Sequence, residues 1–423
     1  MAGKARGDGR LKSFAKMREL MTNYYLSAKD AENRRQKVAW VTSGAPVEFL
    51  HAMDVVPIYP ENHAAMCGAS KMALELQQAS EDRGYSMDLC SYARTDIGSI
   101  LTGKSPVLGL PRPDFMVACN NICTTVVKWY EVVSRFYQVP VFMMDMPFLH
   151  KGLEEHIVDY VSDQMKAYVR FLEERTGTGF DHDRFLEVLH KSRETATLWK
   201  GILETCRSVP APMSCFDAFV HIAPIVTLRG TQECVDYYSL LKTELEERVR
   251  DGVGAVQEER HRLLWDNLPI WFNLRGLSER LAEWKACLVA ATYADSWCAR
   301  IFSVEASMKI ETILTEIAKT YLVPYINSNF DDRVRLLTGM VAKYGANGFL
   351  MHSDRSCKPY SLGQYELLRQ VSERTGVPGL ILNGPEKDRL PNTLNISFPG
   401  ISGGELLAGL RDLAVSLGSA CHA

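Results

Sequence analysis

The sequence predicts an α/β protein in which two regions of alternating strands and helices flank a long helical region. Short apolar runs recur in both halves of the chain, and segments with helical periodicity follow them. Polar turns join the runs to these helical segments, as in βα units of a parallel sheet. Between the two halves, the periodicity is mainly helical. The predicted boundaries are 1–165 for a first α/β domain with an N-terminal helix, 166–284 for the helical region and 285–383 for a second α/β domain.

Length and composition restrict the possible function. The chain has 423 residues, enough for two or three domains, and its net charge of -3 argues against nucleic acid as the main partner. No stretch of about 18 uncharged apolar residues is present, and the basic start has no apolar run behind it. We therefore expect a cytoplasmic protein with no membrane span and no secretory signal.

The cysteine count fits this expectation. Eleven cysteines, an odd number, are scattered through the chain. In a cytosolic protein such cysteines act as free thiols, metal ligands or catalytic groups, and they do not form a disulfide framework.

In the first α/β region, polar residues follow the ends of the predicted strands. Its elements are a helix over Leu11–Lys29, a strand over Val38–Val41, a short helix over Glu48–Met53 and a strand over Val55–Tyr59. Thr42 and Ser43 follow the first strand, and Glu61 follows the second. Because parallel sheets place ligands at the carboxyl ends of their strands, these residues are candidates for a site.

The central unit of this region is a strand, a helix and a strand. Phe115–Ala118 is an apolar run, and a turn follows from Cys119 to Cys123. The helix after it carries an apolar face, and a second apolar run covers Val141–Met144. The face comprises Val126, Val127, Trp129, Tyr130, Val133 and Phe136. Cys123 thus stands near a helix N-terminus, where orphan amides and the helix dipole favour the thiolate.

The helical and second α/β regions continue the pattern. Helical periodicity covers 152–175, 181–206 and 216–250. The second α/β region has predicted strands over 287–292, 348–352 and 379–382, with helices over 305–320, 331–344 and 362–374. Cys357 repeats the placement of Cys123, because it lies between a strand end and a helix.

Three cysteines therefore lie in loops just ahead of helices, namely Cys90, Cys123 and Cys357. They are not close pairs in sequence, which excludes a zinc ribbon. Three thiolates from two facing domains suit an iron–sulfur cluster with one open iron. In the alternative interpretation they are small buried apolar residues without a ligand.

One motif match carries no function. Residues 98–105, GSILTGKS, fit the phosphate-loop pattern GxxxxGK[ST]. That loop needs a strand before it and a helix after it. Here residues 91–97 are predicted to be helical, and Pro106 disfavours a following helix, so we interpret the match as chance.

Four motifs carry a family resemblance over about residues 10–383. They are YPENHAA from Tyr59, GYSMDLCSYARTDIG from Gly84, CNNICTTVVKWYE from Cys119 and HSDRSCKPYSLGQYE from His352. Together they resemble the ATP-activated 2-hydroxyacyl-CoA dehydratases and the class I benzoyl-CoA reductases. The resemblance implies two Rossmann-like, doubly wound parallel-sheet domains with a helical insertion. It further implies a 4Fe-4S cluster between them, a homologous second subunit and a separate ATP-hydrolysing iron–sulfur activator.

The resemblance also assigns residues. It places the three cluster ligands on Cys90, Cys123 and Cys357, with Cys119 as an alternative to Cys123. The implied activity is elimination of water from a 2-hydroxyacyl-CoA through a ketyl radical, with benzoyl-CoA reduction as the alternative. Catalytic candidates are Ser43 and Glu61. Their alternative roles are a helix cap for Ser43 and a solvated carboxylate for Glu61.

Three further positions bear on this assignment. Thr42 is a second candidate donor beside Ser43. His352 is a possible proton carrier, although a structural, hydrogen-bonded histidine is the simpler interpretation. Val41 stands where some dehydratases have serine, which keeps the reductase alternative open.

The tail, residues 384–423, follows a different pattern. It ends in LAVSLGSACHA and resembles the C-terminus of cysteine desulfurases, in which the position of Cys421 carries a persulfide. No Ser-x-His-Lys site for pyridoxal phosphate is present. We therefore expect a grafted fragment that packs poorly and leaves a sheet edge of the second domain uncovered. A non-catalytic sulfur carrier using Cys421 is a further alternative function.

Overall fold

In a computed structural model, the chain forms two mainly parallel sheets surrounded by helices, which confirms the predicted α/β class. The structure describes residues 11–299, 303–305, 307–354, 356–383 and 395–397. None of the helices within these ranges is long and apolar enough to cross a membrane.

The first sheet has four parallel strands in the order β2-β1-β3-β4. The strands are β1 (Val38–Val41), β2 (Val56–Ile58), β3 (Phe115–Cys119) and β4 (Val141–Met144). The chain leaves β1 towards β2 on one side and returns to β3 on the other. Such a switch point opens a crevice between the carboxyl ends of its two strands. Thr42 and the turn from Asn120 to Cys123 follow these two ends.

The second sheet has five strands in the order β6-β5-β7-β8-β9. The strands are β5 (His261–Asp266), β6 (Ala286–Ala291), β7 (Gly348–Ser353), β8 (Gly379–Asn383) and β9 (Asn395–Ser397). All pairs except β8 with β9 are parallel. Its switch point lies between β5 and β7, and Asp354 and Cys357 come after the carboxyl end of β7.

The helices pack on both sheets and fill the space between them. They are α1 (Phe14–Lys29), α2 (Glu48–Ala52), α3 (Pro60–Ala69), α4 (Ala73–Glu81), α5 (Ser91–Thr102), α6 (Thr124–Tyr137), α7 (Glu155–Thr176), α8 (His182–Thr205), α9 (Cys215–His221), α10 (Ala223–Thr227), α11 (Gln232–Arg250), α12 (Leu274–Glu283), α13 (Thr292–Asp295), α14 (Ile310–Leu322), α15 (Phe330–Tyr344), α16 (Lys358–Ser361) and α17 (Gln364–Thr375). Two 3-10 turns cover Trp271–Asn273 and Tyr325–Asn327.

The structure corrects three sequence predictions. The helical segment predicted over 216–250 is divided into α9, α10 and α11, because Pro224 begins a new helix and Gly230 adopts a positive φ of 90°. Strand β5 was not predicted, since it begins with the polar pair His261 and Arg262 and lies before the expected start of the second α/β domain at residue 285. Phe136, predicted to lie on the buried face of α6, is instead exposed.

The tail is described only in part. Residues 395–397 form an antiparallel strand along Ile381–Asn383, so the expectation that this sheet edge is uncovered was wrong over that segment. The remaining residues of the desulfurase-like tail, including Cys421, lie outside the described residues.

The phosphate-loop match is part of a helix packing contact. Gly98 lies inside α5, and Gly103 ends the helix in the left-handed conformation with φ of 69°. Lys104 forms an ion pair with Glu75, and the Ser105 hydroxyl hydrogen-bonds the His63 ring at 2.8 Å. These residues therefore do not form a loop that could hold phosphate.

Gly98 should be intolerant of any side chain. A Cβ there would lie 1.8 Å from the carbonyl oxygen of Leu76 on α4, and backbone cannot move aside as a flexible side chain can. We expect Gly98→Ala to destabilise the protein by about 3 kcal/mol or more, because overpacking forces the two helices apart. Denaturant unfolding measures this, with Gly339→Ala as control, where a Cβ meets no atom within 4 Å. Equal stability of the two variants would contradict the prediction.

Candidate active site

The three predicted cysteines share one local geometry. Each is the N-cap residue of a helix: Cys90 of α5, Cys123 of α6 and Cys357 of α16. The backbone amides at each helix start oppose the rise in thiol pKa that burial causes: those of Tyr92 and Ala93 act on Cys90, those of Thr125 and Val126 on Cys123, and that of Tyr360 on Cys357. Free amides at a helix start stabilise a thiolate. The local prediction from sequence, a loop position just ahead of a helix, is confirmed.

The fold brings the three sulfurs into one region. Cys357 of the second domain interacts electrostatically with Cys90 and Cys123 of the first. The neighbouring residues also connect the two domains, because the amide of Ser91 donates a hydrogen bond to the hydroxyl of Ser356 at 3.3 Å. The carboxyl ends of the two sheets therefore face each other across this cysteine triplet, defined as Cys90, Cys123 and Cys357.

Burial opposes ionisation of these thiols. It raises the pKa of Cys90 to about 11 and raises the pKa values of Cys123 and Cys357, despite the lowering effect of the helix amides. The Asp354 carboxylate raises the pKa of Cys357 further. Thiols in such a setting ionise when a cation binds them, since metal coordination deprotonates a thiol outright.

The three cysteines are soft sulfur donors. Among the described residues, no group of three or more His, Cys, Asp or Glu side chains is close enough together to hold a metal ion. Three soft sulfur donors, partly exposed and contributed by three helix starts, are the type of ligand that iron–sulfur clusters take.

Cys119 is placed differently from Cys123. It is the last residue of β3 and is fully buried, and its amide donates to the Thr42 hydroxyl at 3.1 Å. Cys123 is partly exposed and interacts electrostatically with Cys90 and Cys357. The structure therefore favours Cys123 as the thiol that faces the site.

Ser43 and Glu61 are in direct contact. The Ser43 amide donates to the two carboxylate oxygens of Glu61 at 3.2 and 3.3 Å, and its hydroxyl donates at 3.3 Å. Ser43 follows β1, and Glu61 lies in the first turn of α3 after Pro60. Cys123 interacts electrostatically with Glu61, which places this pair next to the cysteine triplet.

Glu61 has the properties of a base that titrates near neutrality. Burial raises the pKa of its carboxyl to about 7, although the amides of Glu61 and Ser43 and the Ser43 hydroxyl lower it. A carboxylate with a pKa near the working pH can both accept and return a proton. A freely solvated carboxylate, the alternative interpretation of Glu61, does not describe this environment.

The other two candidates have structural roles. Thr42 is fully buried, and its hydroxyl and amide tie β1 to β3 through Cys119 and Val117. His352 stacks on Trp265 and hydrogen-bonds the Leu268 carbonyl at 3.3 Å, while burial lowers the pKa of its ring. Both side chains hold the scaffold of the site.

A second buried carboxyl, that of Asp96, was missed by the sequence analysis. Asp96 lies on α5 and accepts a hydrogen bond from the Trp129 indole at 2.8 Å. Burial and the nearby Glu61 carboxylate raise the pKa of Asp96 to about 7, and Tyr130 lies beside both carboxyls. Asp96 sits mid-helix within a polar stretch, so only its burial in the fold distinguishes it.

Asp96 should make stability depend on pH. Its pKa in the folded state, about 7, exceeds the ordinary value of 3.8, so the folded state binds the proton more tightly. The stabilisation is complete below about pH 4 and is lost as the pH rises to about 7. We expect Asp96→Asn to melt a few degrees above wild type at pH 8 and close to it at pH 4. Exposed Asp163→Asn is the control, and a parallel pH dependence in wild type and Asp96→Asn would refute the prediction.

The turn after β1 and the turn after β3 pack closely together. A Cβ at Gly44 would lie 2.8 Å from both the Asn121 amide oxygen and the Ile122 side chain. The Asn121 amide group donates to the Gly44 carbonyl at 3.3 Å and to the Tyr321 carbonyl of α14 at 2.9 Å. Asn121 was part of the recognised CNNIC turn, but its contacts depend on the tertiary structure.

Comparison with known proteins identifies the family of the chain. The family model for the 2-hydroxyglutaryl-CoA dehydratase D-component matches residues 42–394. The alpha subunit of (R)-2-hydroxyisocaproyl-CoA dehydratase from Clostridioides difficile is 34% identical, with 88% of this chain and 90% of the relative covered. The alpha subunit of (R)-phenyllactyl-CoA dehydratase from Clostridium sporogenes is 32% identical, with 88% and 89% covered.

Two further matches concern the benzoyl-CoA reductase and cysteine desulfurase resemblances of the sequence. A benzoyl-CoA reductase subunit from Thauera aromatica is 29% identical, with 88% of this chain and 88% of the relative covered. A mitosomal cysteine desulfurase from Encephalitozoon cuniculi is 34% identical over 24% of this chain, in its C-terminal part. The desulfurase resemblance of the tail is thus supported, and it is weaker than the dehydratase resemblance of the remaining chain.

Proposed function

Because the chain belongs to the family of the 2-hydroxyglutaryl-CoA dehydratase D-component, we propose that it is a subunit of an enzyme that eliminates water from a 2-hydroxyacyl-CoA. The observation that carries the proposal is the convergence of three N-cap cysteines from two facing sheets, next to a serine–carboxylate pair. A base, a hydrogen-bond donor and a set of soft metal ligands are then neighbours, through the contacts of Glu61 with Ser43 and with Cys123.

Cys90, Cys123 and Cys357 would hold a 4Fe-4S cluster. When bound, such a cluster supplies a low-potential electron and a Lewis-acidic iron at its open position. The chain would provide three thiolates, and the amides at the three helix starts, which favour the charged form of each sulfur, would offset the negative charge of a bound cluster.

Glu61 and Ser43 would move and orient the proton. The β-hydrogen of a 2-hydroxyacyl thioester becomes removable after one-electron reduction of the thioester, and Glu61 is the carboxylate placed to accept it. The Ser43 amide and hydroxyl hold the carboxylate at a fixed position beside Cys123. The accepted proton then combines with the hydroxide expelled from the α-carbon to give water. The product radical returns the added electron to the electron donor, so that the elimination has no net change of oxidation state.

The proposed enzyme needs partners. The substrate is a CoA thioester, and the family resemblance points to a homologous second subunit that completes a heterodimer. An ATP-hydrolysing iron–sulfur activator would deliver the electron, consistent with the absence of a phosphate loop at 98–105 in this chain.

Benzoyl-CoA reduction is the second candidate. It is favoured by the benzoyl-CoA reductase relative, which covers 88% of this chain, and by Val41 in place of a serine. Reductive dearomatisation needs the same type of cluster and a proton donor, so the residues discussed above serve either reaction.

The test combines purification with product analysis. The chain is co-purified without oxygen with its second subunit, reduced by an activator and incubated separately with 2-hydroxyisocaproyl-CoA, phenyllactyl-CoA and benzoyl-CoA. We expect mass spectrometry to show loss of 18 Da from a hydroxyacyl substrate, the mass of water. A gain of 2 Da on benzoyl-CoA would instead support the reductase. A colourless, iron-free protein that converts none of them would overturn both.

A further inference from the structure

A buried guanidinium, that of Arg229, contacts the Ser43 turn, here defined as residues 42–46. Arg229 lies in the connection between α10 and α11, and its side chain is 1% exposed. Its Nη2 donates to the carbonyl oxygens of Ser43 at 3.2 Å and Ala45 at 2.7 Å. Its Nη1 donates to the Val226 carbonyl at 3.1 Å. Arg229 therefore binds the backbone on both sides of Gly44.

The charge of Arg229 is balanced by Glu48. The Arg229 Nε lies 3.8 Å from Glu48 Oε1, and both side chains are buried. Glu48 also accepts hydrogen bonds at 2.6 Å from the Ser192 and Tyr321 hydroxyls. Aromatic rings of Tyr59 and Trp297 lie 5.9 and 5.4 Å from the guanidinium. A lysine could not reproduce this arrangement, because its point charge lacks the planar fork.

Stability alone does not explain this arrangement. A buried ion pair is often no more stabilising than apolar residues of the same volume, because both charges must be desolvated. Here Arg229 donates hydrogen bonds to the two carbonyls that flank Gly44, those of Ser43 and Ala45. Ser43 is also the residue in contact with Glu61. The arrangement fixes the orientation of a short turn rather than filling a core.

We propose that Arg229 is the positioning residue for the catalytic serine turn. By holding the Ser43 and Ala45 carbonyls, it keeps the Ser43 amide and hydroxyl directed at the Glu61 carboxylate. Asn121 holds the same turn from the opposite side through the Gly44 carbonyl. The inference rests on the proposed roles of Ser43 and Glu61, and it adds a residue from the helical region that no sequence motif indicated.

The test uses Arg229→Lys, which keeps the buried charge but loses the bidentate hold on the turn. The matched control is Arg262→Lys. Arg262 is also buried, donates to the carbonyls of Cys206, Ser208 and Tyr344 and pairs with a glutamate, Glu259. It lies on β5 and makes none of the contacts of the site. Both variants lose a comparable set of carbonyl hydrogen bonds, so they separate a general structural cost from a positioning effect.

Three kinetic results are expected of Arg229→Lys. The kcat should fall about 100-fold, the size of effect that misplacement of a catalytic group produces, while KM stays within about 2-fold. The acidic limb of the pH–rate profile should move to higher pH, because weaker donation from Ser43 no longer lowers the pKa of Glu61. Arg262→Lys should leave the kcat, the KM and the acidic limb unchanged. Equal kinetic effects of the two substitutions would overturn the proposal.

A double-mutant cycle with Glu61→Gln gives the most direct answer. If Arg229 acts by keeping the Ser43 donors directed at the Glu61 carboxylate, the double variant Glu61→Gln with Arg229→Lys should be within about 2-fold of Glu61→Gln alone, since the carboxylate that Arg229 helps to position is already absent. Fully multiplicative losses would show that Arg229 acts elsewhere, and would overturn the proposal.

A measurement independent of activity separates this inference from the proposed function. Hydrogen–deuterium exchange of the segment over residues 40–47 should be faster in Arg229→Lys than in wild type and unchanged in Arg262→Lys. Failure of the wild type to convert any acyl-CoA would reject the proposed function, and the exchange result would still stand. Unchanged exchange in Arg229→Lys would overturn the proposal that Arg229 holds the Ser43 turn, whether or not the wild type converts an acyl-CoA.

Discussion

Replacement of Cys123 by alanine should remove the iron from the protein. Anaerobically purified wild type should contain about four irons per chain, and Cys123→Ala fewer than about one, with turnover below detection. The physical reason is that Cys123, which interacts with the sulfurs of Cys90 and Cys357, would supply one of the three thiolates of the proposed cluster. Iron analysis and the visible absorption of the oxidised protein measure the loss.

Cys119→Ala is the matched control for this experiment. Cys119 lies four residues before Cys123 in the same turn motif, but its side chain is buried at the end of β3. We expect the control to keep its iron, with a modest loss of stability of about 1 kcal/mol because only a sulfur atom is removed. Iron loss in Cys119→Ala with retention in Cys123→Ala would reverse the ligand assignment.

Replacement of Glu61 by glutamine should have the second largest effect. The amide cannot accept a proton at physiological pH, and loss of a general base costs about 10²- to 10⁴-fold in rate. The cluster ligands are untouched, so iron content should equal that of wild type. Glu75→Gln, on the exposed face of α4, is the control and should keep full activity.

The pH dependence of this reaction follows from the same carboxyl. Glu61 must be ionised to accept a proton, and its pKa is raised to about 7. Wild-type kcat/KM should therefore fall as the pH is lowered through about 7, and not near the ordinary value of 4.5. The residual activity of Glu61→Gln should lack this limb. An unchanged acidic limb in the variant would assign it to another group and remove Glu61 from the role of base.

The sequence predicted the elements close to the site better than the connections between them. Strands with continuous apolar runs, such as β3 and β4, matched their predicted ranges within one residue. Strand β5 was missed because its first residues are polar, and the charge of Arg262 is satisfied only by distant carbonyls and a glutamate. Local patterning cannot show a partner that is far away in sequence.

The same limit applies to the site. Cys123, Ser43 and Glu61 could be predicted because they follow strand ends or precede a helix, and such positions are visible in sequence. Asp96 and Arg229 could not be predicted, because an isolated charged residue within a helical region normally faces solvent. Their importance comes from burial against Trp129 and against the Ser43 turn, respectively, and both contacts depend on the complete fold.

The distribution of the three cysteines along the chain would determine when the proposed cluster could be built. Two come from the first sheet domain, and the third lies more than two hundred residues later in the second. During synthesis, a nascent chain that has completed only its first domain presents two thiols and no complete coordination site. Insertion of the proposed cluster would therefore follow translation of nearly the whole polypeptide. Once inserted, the cluster would link the two domains through their cysteines, in addition to direct contacts such as that of Tyr321 with Glu48.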